Sequence, residues 1–75
     1  MKQQDKLRRI ACNELVMPDG QRLTLCVVEI SNGCMVNHYP LRQESADTEW
    51  WRGEIVLKDQ GDGTVSAYYK GKLII

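Results

Sequence analysis

The sequence predicts an all-β domain of five or six mainly antiparallel strands, closed into a small barrel or sandwich. Turn signals recur at short intervals: Met17-Pro18-Asp19-Gly20, Ser31-Asn32-Gly33, Gln60-Gly61-Asp62-Gly63 and Lys70-Gly71-Lys72. Asn-Gly and Asp-Gly tolerate the positive φ that tight hairpin turns require. The runs between them are rich in Val, Ile, Leu, Thr, Tyr and Trp, the residues that fit a pleated, half-buried surface. With 75 residues, the chain can build one domain around one core. A Rossmann domain, a (β/α)₈ barrel and a kinase fold all need far more chain.

The strands are expected at 9–17, 22–30, 34–39, 51–58, 64–69 and 72–75. In the second, Leu23, Leu25 and Val27 alternate and share a face. The phase then slips at Val27-Val28, where Val28 and Ile30 take over, as a bulge or a strand covered on both faces would produce. In the fourth, Ile55 and Leu57 fall on the side of Trp51. In the fifth, Val65, Ala67 and Tyr69 form the inward set. Residues 1–8 read as a frayed end or a helical turn. Residues 43–49 form the one sizeable polar connection, in which Ser45 to Thr48 suits a single capped turn. The closing Lys72-Leu73-Ile74-Ile75 is apolar enough to dock as a final strand or to pair with a second chain along a sheet edge.

Ten Lys and Arg balance ten Asp and Glu. Bulk charge therefore argues against both a strongly basic nucleic-acid binder and an acidic tail protein. The first residues are polar, and Arg8 and Arg9 interrupt any apolar stretch, so no secretory signal is expected. The longest apolar run, Leu25-Cys26-Val27-Val28, is far below a membrane span. Three cysteines without a CxxC pair suit a reducing cytoplasm rather than a disulfide framework.

Catalytic chemistry finds little support. His38 is the single imidazole, and neither GxSxG nor HExxH occurs. Cys34 and His38 are an even number of residues apart, so on a strand they point the same way; Cys12 and Cys26 would complete a Cys₃His set. Structural zinc sites are usually built from close paired ligands, however, and none is present. Asp47 and Glu49 read as solvated surface charge. Gly61-Asp62-Gly63 lacks the Lys-Ser/Thr and the helix of a P-loop and reads as a hairpin turn. No catalytic set, metal or cofactor is expected.

Aromatic residues carry the remaining signal. Trp50-Trp51-Arg52 and Tyr68-Tyr69-Lys70 each place one ring inward and one outward by strand alternation. Trp50 and Tyr68 are the expected outward members, beside Arg52 and Lys70, with Arg8 and Arg9 as further cations. Such a patch suits stacking of single-stranded bases. It equally suits a sheet edge or subunit contact, where Trp and Tyr are common anchors. Zero net charge and the acidic neighbours Asp47, Glu49 and Glu54 favour the second use.

One family resemblance covers most of the chain from Ile10. The segment Ile10-Ala11-Cys12-Asn13-Glu14-Leu15-Val16-Met17-Pro18-Asp19-Gly20, with Val27-Val28-Glu29-Ile30-Ser31-Asn32-Gly33-Cys34-Met35-Val36, resembles the opening strands of amidohydrolase-superfamily metal-dependent hydrolases. Val65-Ser66-Ala67-Tyr68-Tyr69-Lys70-Gly71-Lys72-Leu73-Ile74 resembles the strand that closes those chains. The resemblance implies their small composite β-sandwich as a stand-alone module, a relative without the catalytic barrel. After Trp51-Arg52-Gly53-Glu54-Ile55-Val56-Leu57 the family's Pro-Gly and His-x-His metal pair are missing, so no metal ligand or catalytic residue carries over.

The sequence thus favours a cytoplasmic, non-enzymatic β module for self-association or protein–protein interaction. Its contacts are expected near Trp50, Tyr68, Leu73, Ile74 and Ile75. The alternative is single-stranded nucleic-acid binding through Trp50, Arg52, Tyr68 and Lys70.

Overall fold

The turn chemistry sets the sheet. Asn32 and Gly33 adopt φ of 54° and 80°, and Lys70 and Gly71 adopt 52° and 82°. Each pair gives a two-residue turn whose twist matches that of its flanking strands. The turn after the first strand is longer: the Gly20 amide donates to the Met17 carbonyl at 2.8 Å, and the Met17 amide to the Gln21 carbonyl at 2.7 Å.

The computed structural model describes residues 7–42 and 48–75. It contains β1 (Leu7–Val16), β2 (Arg22–Ser31), β3 (Cys34–Pro40), β4 (Thr48–Asp59), β5 (Val65–Tyr69) and β6 (Lys72–Leu73). They form one six-stranded sheet in the order β3-β2-β1-β4-β5-β6. Neighbours are antiparallel except β1 and β4, which run parallel. The sheet is therefore mixed rather than purely antiparallel. It curls until β3 approaches β5, and a half-barrel results.

The inner face of that curl is the core. Ile10, Cys12, Leu15, Cys26, Val28, Ile30, Ile55, Leu57, Ala67 and Ile74 are buried there. Met17, Leu23, Met35, Trp51, Val65 and Tyr69 pack against them. The expected inward sets of β4 and β5 are both present.

Strand alternation breaks along one line across the sheet. On β1 the inward set passes from Ile10 and Cys12 to Leu15 and Met17. On β2 it passes from Leu23 to Cys26. The slip therefore falls at Leu25, two residues before the expected place, and Leu25 and Val27 do not share the inner face with Leu23. The reason is local: Leu25 has φ of 50° and is exposed. A non-glycine residue in this region marks an irregular strand position. On β4 the register moves from Cys12↔Trp51 to Glu14↔Glu54, one residue more than β1 supplies. Gly53 sits in that bulge at φ of 105°, and its amide donates to Asn13 Oδ1 at 2.7 Å. Bulges of this kind bend a strand and strengthen its twist, which accounts for the curl.

A second bulge separates Cys34 from His38. The β2–β3 register moves from Glu29↔Asn37 to Ile30↔Met35, leaving Val36 extra. Cys34 therefore lies on the outer face with Ser31, and His38 on the inner face with Val28. The expectation that they point the same way is corrected by this inserted residue.

β4 begins at Thr48, three residues earlier than the sequence suggests. Glu49 joins the strand because its carboxylate meets Arg8 of β1. β6 stops at Leu73, short of the expected 72–75. The turn proposed around Ser45 and the end proposed for residues 1–6 fall outside the described residues, whereas Leu7 and Arg8 belong to β1.

Candidate functional site

The parallel pairing of β1 with β4 brings Arg8 and Glu49 together on the inner face at one mouth of the half-barrel. Arg8 Nη2 and Nε donate to Glu49 Oε1 and Oε2 at 2.9 and 3.1 Å. Arg8 Nη1 donates to the Ile75 main-chain oxygen at 2.8 Å. The guanidinium also lies 5.3 Å from the Trp51 ring centroid, in cation–π range. Trp51 Nε1 donates to Glu49 Oε1 at 3.1 Å. The hydrogen bonds from Arg8 hold the Glu49 carboxyl below the ordinary carboxylate range, against the opposing effect of burial.

Trp51 in turn packs on Tyr69, with ring centroids 4.9 Å apart at 56°. Tyr69 runs across Gly53, and its hydroxyl donates to the Arg52 carbonyl. A Cβ on Gly53 would meet Tyr69 at 3.9 Å, an ordinary contact, so the glycine is required there by its φ of 105° and not by the ring. Between these rings and the C-terminal residues lies a cavity of about 300 Å³, lined by Arg8, Trp51, Tyr69, Lys72 and Leu73 to Ile75.

The residues singled out in the sequence separate into two groups. Ile74 is buried and its amide donates to the Ala67 carbonyl at 2.9 Å. Leu73 and Ile75 on either side are 46% and 72% exposed. These three border the cavity beside Trp51. Trp50 lies on the outer face opposite Ala11 and is 49% exposed. Arg52 is exposed and falls on the same face by alternation. Tyr68 is also on the outer face, but opposite Val56. That places it roughly 20 Å along β4 from Trp50 at about 3.3 Å per residue. Lys58 lies over Tyr68 at 5.1 Å, and Lys70 lies over Tyr69 at 5.4 Å. The structure thus brings Trp50 and Arg52 together on one face and separates Trp50 from Tyr68.

The two N-terminal cations are engaged as well. Arg9 Nε donates to Glu29 Oε2 at 2.9 Å, and the Tyr39 hydroxyl donates to the same oxygen at 2.9 Å. Burial pushes the Glu29 carboxyl up, and these two bonds together outweigh it and hold it low. On the outer face Arg22 bridges Glu14 and Glu54 at 2.9 and 2.8 Å.

Across the sheet, Cys12 and Cys26 are directly opposed and unbridged. Burial pushes the Cys12 thiol up to about 11. A second cavity, of about 560 Å³, lies beside Cys26 and His38. Among the described residues no group of three or more His, Cys, Asp or Glu gathers as metal ligands. No helix among them is long and apolar enough to cross a membrane.

The feature that sequence reading missed is an open edge. β5 pairs with β4 only from Ile55 to Asp59. Residues 48–51 of β4 pair with β1 on one side and, among the described residues, with no strand on the other. Half of their main-chain groups therefore face outward without a strand partner, and next to them the Arg52 carbonyl accepts the Tyr69 hydroxyl. Pattern reading locates strands but not which strand neighbours which, so this edge had no signal in the sequence.

No family model, no curated protein and no solved structure matches this chain.

Proposed function

We propose that this chain is a non-enzymatic protein-interaction module that receives an extended strand on the open edge of β4. The observation that carries this reading is the run 48–51, which among the described residues has a strand on one side only and carries half-exposed Trp50. Main-chain pairing along such an edge supplies affinity, and alternate side chains supply specificity. Trp is a frequent anchor at contacts, and exposed Leu73 and Ile75 add apolar surface around the cavity that shares Trp51. Opposed, unbridged Cys12 and Cys26 suit a reducing, cytoplasmic setting.

The test is the solution mass across a dilution series, by light scattering at low and high salt. Strand addition gives a complex of fixed stoichiometry that persists in high salt, because main-chain hydrogen bonds and apolar contacts dominate it. A monomer at every concentration overturns self-association. Salt-sensitive quenching of Trp fluorescence by an oligonucleotide would overturn the protein-partner reading in favour of single-stranded nucleic acid.

A further inference from the structure

The inner face of the sheet holds two nucleophiles that the β4 edge does not use. We propose that Cys12 and Cys26 form a dithiol site that a small, water-soluble disulfide oxidises to a bridge between β1 and β2. Cys26 is the attacking thiol and Cys12 the resolving one.

Three observations support the pair. The first is register. Cys12 and Cys26 are direct partners on neighbouring antiparallel strands, and both belong to the buried inner face. Directly opposed residues in such a ladder have Cα atoms about 4.5–5.5 Å apart, inside the span of about 4.4–6.8 Å that a disulfide bridges. The second is thiol placement. The Cys12 thiol already reaches over to β2, where it donates to the Cys26 carbonyl at 3.6 Å. The Cys26 thiol donates to the Thr24 carbonyl at 3.6 Å. Closure therefore exchanges two weak thiol bonds for a covalent one. The third is access. The cavity of about 560 Å³ is lined by Cys26 and not by Cys12, with Leu23, His38 and Pro40 around it. A small disulfide meets Cys26 first. Cys34 is no rival partner, because it lies opposite Ser31 on the outer face and Pro40 lies beside Cys26.

The Cys26 thiolate attacks one sulfur of the small disulfide, forming a mixed disulfide and releasing one small thiol. The Cys12 thiolate then attacks the Cys26 sulfur, forming the Cys12–Cys26 bond and releasing the second small thiol. The protein loses two hydrogens, and the small disulfide is reduced to the two thiols that carry them. Burial pushes both protein thiols up. Few thiolates form, so exchange is slow, and a thiol that ionises reluctantly also leaves a disulfide slowly. In a reducing compartment the dithiol is the resting form. An oxidising interval fastens β1 to β2 beside the irregular backbone at Leu25.

The test uses the Cys34→Ser chain, which keeps this pair alone, incubated with glutathione disulfide and then labelled with maleimide under denaturing conditions. Intact mass should show the loss of two hydrogens, no retained glutathione and no maleimide. The urea midpoint should rise, because the bridge joins residues 14 apart in the chain, and dithiothreitol should reverse the rise. With Cys12→Ala added, the reaction should stop at a glutathione adduct on Cys26. With Cys26→Ala added instead, Cys12 should gain glutathione at least about tenfold more slowly, since thiol reactivity follows exposure. Far-UV circular dichroism checks that each variant is folded, and the mass and midpoint readings depend on neither core variant. Two thiols that survive in the folded chain, while the same chain in urea bridges completely, would overturn the site. A glutathione adduct that persists on Cys26 beside a free Cys12 would overturn Cys12 as the resolving thiol. A bridge that lowers the urea midpoint would mean that the native strands do not fit it, and the geometric argument would fail.

Discussion

The second half of β4, from Ile55 to Asp59, pairs with β5 along its length and with β1 at Ile55 and Val56, and it buries Ile55 and Leu57 in the core. The first half, residues 48–51, has among the described residues β1 alone as a strand neighbour and leaves Trp50 on the outer face half in solvent. Both halves have strand-forming composition, so intrinsic preference does not separate them. The length of the neighbour does: β5 has five residues and turns away at Lys70-Gly71. The opposite margin of the sheet sharpens the point. β3 is guarded by the extra residue at Val36, by Pro40, which has no amide hydrogen to donate, and by the approach of β5. Bulges and prolines are the usual defences of a sheet edge. The first half of β4 has no proline over residues 48–52, and its guard is the bulge at Arg52-Gly53 with Tyr69 across it. Among the described residues, 48–51 is the stretch of this margin without a strand beside it.

The largest effect expected from this contrast is on stability. Ile55→Ala truncates a fully buried side chain and should cost about 2–5 kcal/mol. Trp50→Ala, on the same strand but outside the core, should change the stability of the isolated chain by less than about 1 kcal/mol. Urea denaturation at high dilution makes the comparison. Equal losses at the two sites would show that the first half is packed as tightly as the second.

The boundary between the halves comes next. Gly53→Ala forces a side chain onto φ of 105°, although its Cβ would find ordinary space against Tyr69. The cost is backbone strain, of order 1–3 kcal/mol. Asn13→Ala removes the oxygen that accepts the Gly53 amide, worth about 1 kcal/mol. Because the two residues form one device, the double variant should lose less than the sum of the singles in thermal melts. Strict additivity would mean that bulge and hydrogen bond act independently.

Amide exchange reads the contrast without mutation. In the isolated chain, the outward-facing amides of residues 48–52 should exchange at least about tenfold faster than those of Ile55 to Asp59. A strand added to this edge by a partner should slow the first set and leave the second unchanged. Slow exchange throughout β4 in the monomer would mean that the first half is already covered.

These contrasts show which features the sequence could carry. Hairpin turns were legible because Asn32-Gly33 and Lys70-Gly71 announce positive φ locally. The alternation of Ile55 with Leu57, and of Val65, Ala67 and Tyr69, was legible because neither run contains a phase slip. The outward placement of Trp50 followed from the same alternation. The slip at Leu25 was misplaced because its cause is a backbone angle, and leucine carries no mark of it. The extra residue at Val36, which parts Cys34 from His38, is equally silent. Separation of Trp50 from Tyr68 depends on the β4–β5 register, and the meeting of Arg8 with Glu49 depends on a parallel pairing across 41 residues. Such long-range choices belong to topology, which local pattern does not encode.

The smallest effect concerns pH, and it probes the inner side of the open half. Arg8 holds the Glu49 carboxyl below its ordinary value. A depressed carboxyl contributes stability that is fully present above the unfolded value of about 4.3 and is lost as pH falls through the lower folded value. Both partners are partly solvent-exposed, at 33% and 43%, so screening limits the contribution to less than about 1 kcal/mol. Glu49→Gln should therefore lower stability slightly at pH 7, and the difference should shrink as pH falls through the lowered folded value of Glu49. Glu29 is also held low, by Arg9 and Tyr39, so the comparison must be between wild type and variant rather than within one melting profile. Tracking Trp fluorescence as pH falls adds a local readout, because Trp51 donates to Glu49 and lies beside Arg8. A change in Trp51 emission that precedes global unfolding in wild type, and is absent in Glu49→Gln, would assign the acid transition to this mouth of the half-barrel. Identical acid profiles for the two proteins would mean that Arg8 and Glu49 contribute nothing measurable to holding it.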